Sequence, residues 1–193
     1  MHPSDEKALL RTRIKERADR VSASDREAAS RSICRRVMEN LPEGQLTICA
    51  YFPMPSEVDV RPLIEKLLKK GHTIYLPRFN RVYFEFRKIE NVDDLVPGKF
   101  NLPEPPASAP LLDTKTVSLA LLPAVACDRS GGRLGRGNGG YDRWIQELKK
   151  VNPQAKIWGI AFDHQIADMV PMEAHDQRVD AVMTAREAIF CEG

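Results

Sequence analysis

The sequence predicts an α/β protein: a mainly parallel open sheet flanked by helices, with an N-terminal helical pair. Two observations predict it. Short apolar runs at residues 46–52, 73–76, 119–126 and 157–162 are typical of buried strands, and segments with helical spacing separate several of them. Strands that alternate with helices favour a parallel sheet with right-handed crossovers. The 193 residues suit one domain, which we expect to span residues 1–193.

The helical pair is predicted from capping residues and periodicity. Residues 3–5 can cap a first helix, whose apolar positions are Leu10, Ile14, Ala18 and Val21. Ser24 and Glu27 form a capping-box pattern that would start a second helix, and residues 42–44 would end it.

The later elements are predicted in turn. Gly71 closes a helix over 60–70, and Pro77 stops the strand 73–76. The five prolines within 97–110 indicate a long connecting loop. In chain order we also expect an edge strand at 83–89, the central strand at 119–126, a helix at 141–151, a strand at 157–162, and short terminal strands at 179–183 and 188–190.

Composition limits the class of protein. A hydrophobic content of 42%, a charged content of 29% and a net charge of +2 are typical of a soluble globular protein. Basic residues are dense between 7 and 36, as in an RNA- or membrane-binding helix, but acidic residues interleave with them, as on a solvated face. The four cysteines are far apart, which disfavours a zinc site and indicates reduced thiols. With no secretory or membrane-spanning segment evident, we expect a cytoplasmic protein.

Residues 133–142, Arg-Leu-Gly-Arg-Gly-Asn-Gly-Gly-Tyr-Asp, are the strongest functional signal. Four glycines and two arginines lie between a predicted strand and a predicted helix. Such a turn lets backbone N–H groups approach an anion, and arginine supplies forked donors for phosphate or carboxylate. The segment matches neither G-x-G-x-x-G nor the P-loop pattern. We interpret it as a phosphate-binding loop; the alternative is a tight turn without a ligand.

The fold places several loops beside this segment, because ligands of open α/β sheets lie beyond the carboxyl ends of the strands. Residues 53–59, 77–81 and 127–142 should share that rim, and the segment after Phe162 could join them. Asp142 and Asp176 would offer Mg²⁺ the carboxylates that it takes together with phosphate oxygens. The alternatives are a helix-dipole charge for Asp142 and a surface turn for Asp176.

The same rim offers a site for a ring. Glu57 and Asp59 could bind an amine-rich ligand, although Asp59 could instead cap a helix. Four apolar or aromatic residues could stack on a planar ring, or simply pack under loops: Met54, Phe79, Phe100 and Tyr141. No nucleophile elbow is present in the sequence.

These residues together resemble one family. Leu122-Pro123-Ala124-Val125-Ala126-Cys127-Asp128, followed by Gly132 and the 133–142 segment, is similar to the signature of the 5-formyltetrahydrofolate cyclo-ligases. Further landmarks agree, in order along nearly the whole chain: Lys7 and Arg11, Glu57-Val58-Asp59, Leu76-Pro77-Arg78, Asn101-Leu102-Pro103-Glu104-Pro105, His175-Asp176 and Val179-Asp180.

The resemblance implies an ATP- and Mg²⁺-dependent ligase that converts 5-formyltetrahydrofolate into 5,10-methenyltetrahydrofolate, ADP and phosphate. The formyl oxygen would be phosphorylated first, and N10 would then close the ring as phosphate leaves. Phosphoryl transfer needs positioning and charge neutralisation rather than a protein nucleophile. The resemblance further implies no nucleic-acid or membrane partner, and we expect a monomer.

The resemblance also implies roles for individual residues. Lys7 and Arg11 would contact ATP phosphates, with Arg11 near the formyl group, and Arg136 would stabilise the transferring phosphoryl group. The triphosphate would be wrapped by Arg133, Leu134, Gly135, Arg136, Gly137, Asn138, Gly139, Gly140 and Tyr141. Asp142 and Asp176 would hold Mg²⁺. The folate would contact Met54, Glu57, Asp59, Phe79, Phe100 and Tyr141.

The chain departs from the family pattern at two positions. Gly140-Tyr141 stands where most members have two tyrosines, so an aromatic wall is either missing or supplied from elsewhere. Cys127 replaces a common phenylalanine, which concerns packing. Two alternatives remain open from the sequence: a nucleotide- or RNA-binding module of this fold without catalysis, and an ATP-dependent ligase acting on another N-formyl substrate.

Overall fold

The computed structural model describes residues 3–79, 84–98 and 101–191. Four helices lie in this part of the chain: α1 (Pro3–Ala18), α2 (Ala23–Asn40), α3 (Arg61–Lys69) and α4 (Gly140–Val151). The strands are β1 (Thr47–Cys49), β2 (Thr73–Phe79), β3 (Phe84–Ile89), β4 (Val96–Pro97), β5 (Pro103–Glu104), β6 (Leu119–Pro123), β7 (Ala126–Cys127), β8 (Arg133–Leu134), β9 (Lys156–Ile160), β10 (Ala181–Met183) and β11 (Ala188–Phe190).

Seven strands form one sheet in the order β11-β10-β9-β6-β1-β2-β3. The five central strands are parallel, whereas β11 and β3 add antiparallel edges. The predicted fold class is therefore confirmed, including the N-terminal pair of helices.

The two faces of the sheet are covered by different helices. Along β6, Leu119 and Leu121 belong to the core cluster that contains buried residues of α2 and α3, whereas Ala120 and Leu122 belong to the cluster that contains α4. Side chains alternate between the faces of a strand, so a continuous apolar run is the expected sequence of a strand buried on both sides.

Four predicted elements differ from those in the structure. The cap of α2 is Ser22, which accepts a hydrogen bond from Asp25 N, and not Ser24. Strand β2 continues past Pro77 and ends at Phe79. Pro77 has no N–H, but the pairing of β2 with β1 already ends at Tyr75, so no hydrogen bond to β1 is lost at the proline.

The predicted strand 119–126 is two elements, since β6 ends at Pro123 and β7 starts a separate hairpin with β8. The predicted loop 97–110 also contains β5, which pairs with β4.

Helix α1 lies against the β7–β8 hairpin. Ile14 of α1 is 3% exposed and packs with Ala126, Leu134 and Val170. Arg17 donates a hydrogen bond to the carbonyl of Ile166, 3.1 Å away. Among the described helices, none combines the length and the apolar character that a membrane span requires. Helix α1, which lies in the basic part of the sequence, is thus packed on the main body of the fold, and one of its faces lines the cleft at the carboxyl ends of the strands.

Candidate active site

A cleft of about 910 Å³ lies at the carboxyl ends of the parallel strands. Residues that follow β1 and β6 contribute to its walls, as do the end of β2 and one face of α1. Most of the predicted site residues line it: Lys7, Arg11, Met54, Glu57, Phe79, Arg133, Leu134, Gly135, Arg136, Gly137, Asn138, Gly139, Tyr141, Asp142 and Asp176. The rim predicted from topology is therefore one continuous cavity.

Helix α1 contributes a lysine that is 8% exposed. The Lys7 ammonium donates hydrogen bonds to Glu173, 2.6 Å away, and to Asp176. Burial lowers the pKa of Lys7, but the bonds to Asp176 and Glu173 outweigh it, so the pKa is raised overall. Burial raises the pKa of Asp176, and the bonds from Lys7 and from the N–H of Glu173 lower it below its usual value. All three groups are therefore charged at neutral pH.

The β7–β8 hairpin is braced by Asp128, which is 2% exposed. Its Oδ1 accepts hydrogen bonds from the N–H groups of Ser130 and Gly132 and from the Ser130 hydroxyl, and its Oδ2 accepts from Val170 N. An added Cβ on Gly132 would lie 2.4 Å from Asp128 Oδ2, so this turn needs glycine. The turn held by Asp128 thus fixes the position of Arg133, the first residue of β8, in the cleft wall.

Arg133 is buried and paired with the first turn of α4. Its Nη2 donates to Asp142 Oδ2 at 3.0 Å, its Nη1 donates to the carbonyl of Pro123 at 3.3 Å, and its side chain is 1% exposed. The Arg133 Nε–H is buried and finds no acceptor among the described residues. A buried donor without a partner is costly, so this guanidinium has unused capacity for an acceptor.

Between β8 and α4 the backbone donors are unpaired. Among the residues that the structure describes, the N–H groups of residues 136–139 have no hydrogen-bond acceptor. Gly137 and Gly139 have φ values of 103° and 63°, which favour glycine. The N-cap residue of α4, Gly139, has no side chain to cap the helix, and among the described donors Asn138 Oδ1 accepts only the N–H of Gly140, at 3.1 Å. Consecutive free N–H groups before a helix N-terminus attract an anion.

Two further arginines flank these donors. Arg11 Nε donates to the carbonyl of Gly135 at 3.1 Å. Arg136, whose side chain is 48% exposed, donates from Nη2 to Ser56 Oγ at 2.8 Å and from Nε to Glu57 Oε1 at 3.2 Å. The arginine pair brackets the glycine segment, and Arg136 connects it with the loop after β1.

Another part of the cleft lining is mostly apolar and includes the carboxylate of Glu57. Met54, Phe79 and Tyr141 line the cleft together with Glu57, whose Oε2 accepts a hydrogen bond from Met54 N at 2.9 Å. Burial, and next the nearby Glu57, raise the pKa of Tyr141, so its phenol stays protonated. This wall suits a flat ring with donor groups.

Three predicted site residues are not part of this cavity as described. Asp59 is not among its lining residues and is paired with Arg61, at 2.8 and 2.7 Å, in the turn that begins α3. Its Oδ1 also accepts a hydrogen bond from Arg61 N at 3.1 Å, which is the capping alternative. Gly140 starts α4 but is not a lining residue. Phe100 lies outside the described residues.

The acidic groups form a possible cation site. Ligand atoms of Glu173, His175 and Asp176 lie within 4.8 Å of one another, with the Lys7 ammonium bound to the two carboxylates. Asp142 is outside this group, and its Oδ1 accepts from Gln177 N at 3.1 Å. Each carboxylate oxygen has two lone pairs, so Asp142 and Asp176 keep acceptor capacity beside their present partners. The carboxylate oxygens of Asp142 and Asp176 are donors of the type that Mg²⁺ prefers, so these two residues fit this ion.

Glu173 is the site residue that the sequence analysis missed. It bonds Lys7 from 166 positions away, so no local spacing relates the two. The only signal was its position three residues before Asp176, whose Oδ2 accepts a hydrogen bond from Glu173 N at 2.7 Å.

Comparison with known proteins gives a consistent result. Residues 3–185 match the model of the 5-formyltetrahydrofolate cyclo-ligase family. A 5-formyltetrahydrofolate cyclo-ligase of Mycolicibacterium smegmatis is 32% identical over 192 residues, which cover 95% of each chain. The mouse protein of the same name is 27% identical and covers 90% of this chain and 91% of its own.

Solved structures agree with the sequence relatives. The 5,10-methenyltetrahydrofolate synthetase of Aquifex aeolicus superposes with a TM-score of 0.82 at 26% identity, covering 97% of this chain and 93% of its own. The Mycoplasma pneumoniae synthetase superposes with a TM-score of 0.73 at 21% identity, covering 93% and 98%, and shares the fold.

Proposed function

The chain belongs to the 5-formyltetrahydrofolate cyclo-ligase family, and we propose that it uses ATP and Mg²⁺ to cyclise 5-formyltetrahydrofolate to 5,10-methenyltetrahydrofolate with release of ADP and phosphate. The single observation that supports this most strongly is the glycine segment, whose unpaired N–H groups face a cleft rich in arginine. The same cleft also has a largely apolar wall suited to a ring.

The triphosphate would lie along residues 133–141. Free N–H groups of the glycine segment and the N-terminus of α4 would hold its oxygens. Lys7 and Arg11 would add charge from α1, with Arg11 close to the reacting formyl group. Arg136 is the exposed, adjustable member of the set, because its present partners are Glu57 and Ser56 on a loop. We assign it the stabilisation of charge on the transferring phosphoryl group.

Mg²⁺ would be held by Asp142 and Asp176. When bound, the ion would neutralise phosphate charge. Lys7 now neutralises Asp176 and Glu173, so its ammonium would move towards the phosphates when the metal takes these carboxylates. Arg133 would keep Asp142 in place at the start of α4.

The folate ring would lie on the other wall. Glu57 points into the cleft and can accept hydrogen bonds from amino and ring N–H groups of a pterin. Met54, Phe79 and Tyr141 would contact the rings, and Phe100 remains a candidate for the same contact. Glu57 takes the role first expected of Asp59, which is bound to Arg61 instead.

These residues account for the chemistry without a protein nucleophile. A formyl amide oxygen is a poor leaving group. Phosphorylation makes this oxygen part of a phosphate group, which is a good leaving group. The protein's part is to align the formyl oxygen with the phosphoryl group and to exclude water. N10 of the folate then attacks the activated carbon and phosphate departs, so the formyl oxygen leaves with the phosphate.

The alternatives have weaker support. A nucleotide- or RNA-binding module without catalysis would not need the carboxylates that surround Lys7. A ligase acting on another N-formyl compound would use the same phosphate residues, but the Glu57 wall favours an amine-rich ring. Both alternatives can be tested in one assay.

The test is the absorbance of methenyltetrahydrofolate during incubation with 5-formyltetrahydrofolate and MgATP. We expect an increase that requires protein, ATP and Mg²⁺, with one ADP formed per methenyl group. ADP formation that instead follows only a different N-formyl compound would support the second ligase. ATP binding without any turnover would contradict the proposal and favour the binding module.

A further inference from the structure

The backbone conformation at position 140 does not explain why the residue there is a glycine. Gly140 is the first residue of α4, and its φ is not among the positive values that favour glycine. An added Cβ would nevertheless lie 2.9 Å from Cε1 and 3.4 Å from Cδ1 of Phe84. Because real Cβ atoms essentially never approach within 3.0 Å of another heavy atom, a side chain at position 140 would force the phenylalanine ring to shift.

Phe84 is the centre of a group of aromatic rings. Its centroid lies 5.0 Å from that of Tyr141, 6.0 Å from that of Phe79 and 5.6 Å from that of Phe86. Phe86 is 2% exposed and packs at 4.5 Å on Trp144 of α4. Phe84 therefore links a buried anchor to two rings that line the cleft, although it is not a lining residue itself.

The two cleft rings are held from defined directions. Phe79 and Phe84 are directly paired at the end of the β2–β3 ladder, where cross-strand neighbours pack on each other. Tyr141 lies between Phe84 and the Arg133 guanidinium, whose Cζ is 5.8 Å from the ring centroid. Without Phe84, each ring would lose a neighbour that restricts its rotamers.

We propose that Phe84 is a positioning residue for the ring-bearing substrate, holding Phe79 and Tyr141 in place, and that Gly140 leaves the space that Phe84 needs. The assignment of a folate to this wall rests on the proposed function. A side chain at position 140 would displace Phe84 and disturb both rings. The support for the aromatic wall thus comes from β3, which packs against the start of α4 at Gly140 and Tyr141.

Kinetics test the positioning role. Phe84→Ala should raise the KM for 5-formyltetrahydrofolate about tenfold, the order expected when aromatic contacts are lost. The KM for ATP should change less than about twofold, because the contacts of Phe84 reach Gly140 and Tyr141 but not the unpaired N–H groups of residues 136–139. Phe190→Ala removes a phenylalanine that is 60% exposed on the opposite edge strand and is the matched control. Equal changes in both KM values, or none, would overturn the role.

A second variant tests the coupling of the two positions. Gly140→Ala should raise the KM for the folate in the wild-type background, but should add no further increase to Phe84→Ala, since the clashing ring is gone. If the KM for the folate in the double variant rose by the product of the two single effects, or if Gly140→Ala left this KM unchanged, the proposal would be contradicted.

A spectroscopic measurement separates this inference from the proposed function. In protein labelled with 3-fluorotyrosine, the resonance of Tyr141 is the one lost in Tyr141→Phe. Phe84→Ala and Gly140→Ala should both shift it, and Phe190→Ala should not. If the wild-type protein fails to cyclise the folate but these shifts occur, the proposed function is wrong and the positioning of Tyr141 stands. An unshifted resonance would refute the positioning itself.

Discussion

Arg133 and Asp142 form a buried ion pair with a separation of 3.0 Å that joins the two ends of the glycine segment. One residue belongs to a strand and the other to the first turn of α4. The loop between them is thus fixed at both ends while its N–H groups stay unpaired. A loop preorganised in this way can bind an anion without first paying to order its own backbone.

Removing the arginine of this pair should destabilise the protein strongly. Arg133→Met leaves Asp142 without its counter-charge and should lower the free energy of unfolding by about 3 kcal/mol. Urea denaturation measures this. Arg129→Met, which breaks an exposed pair with Glu187, is the control and should have a much smaller effect. Comparable losses of unfolding free energy in the two variants would show that the buried pair stabilises the protein no more than the exposed pair does.

Arg136 should matter for turnover and not for folding. Its side chain is half exposed and, within the described part of the chain, bonds only the 53–57 loop. Arg136→Ala should lower kcat by about 10²–10³-fold, as expected for the loss of one donor to transition-state charge. Thermal unfolding should stay near the wild-type value. Arg35→Ala, on the exposed surface of α2, provides the control, and a kcat within twofold of wild type in Arg136→Ala would exclude the assigned role.

The metal requirement should depend on two carboxylates. Asp142→Asn and Asp176→Asn each replace a charged oxygen by an amide, so the Mg²⁺ concentration for half-maximal rate should rise about tenfold or more. Asp168→Asn changes an exposed carboxylate outside the cleft and should leave the titration unchanged. Identical Mg²⁺ titrations in all three variants would remove both residues from the metal site.

The brace at Asp128 should give stability that depends on pH. Burial raises the pKa of Asp128, but hydrogen bonds led by Val170 N–H outweigh it and hold the pKa below its usual value. Because the unfolded chain then binds the proton more readily, this stability is present above about pH 4 and is lost as the pH falls through the folded pKa.

Asp128→Asn tests the brace directly. The amide N–H₂ would face either the Val170 N–H or the Ser130 and Gly132 donors, which should cost about 2 kcal/mol near neutral pH. Urea titrations between pH 3 and 7 should show this difference shrinking towards acid. A difference that is constant across the range would mean that the carboxylate charge is not what stabilises the hairpin.

The glycine segment could be predicted because its chemistry is local in sequence. Free N–H groups, positive φ values and forked donors all follow from residues 133–142 taken together. The parallel sheet then brought the loop after β1 to the same rim, as the carboxyl-end rule requires. The pairing of Lys7 with Glu173 had no comparable signal, because only the packing of α1 across the hairpin brings them together.

Two predictions depended on side-chain direction, which the sequence does not specify. Glu57 and Asp59 are two residues apart in one loop, yet Glu57 enters the cleft and Asp59 turns back to Arg61. At position 140 the sequence left open whether an aromatic wall is missing or is supplied from elsewhere. In the structure, Phe84 of β3 lies next to this glycine, a contact between residues 56 positions apart in the chain.

The most direct test of the central claim is to follow the formyl oxygen. With ¹⁸O in the formyl group of 5-formyltetrahydrofolate, the phosphate released during MgATP-dependent ring closure should carry one ¹⁸O atom, because the formyl oxygen bonds to phosphorus before its bond to carbon breaks. Mass spectrometry of the phosphate measures this. Unlabelled phosphate, formed together with methenyltetrahydrofolate in ordinary water, would contradict phosphorylation of the formyl oxygen.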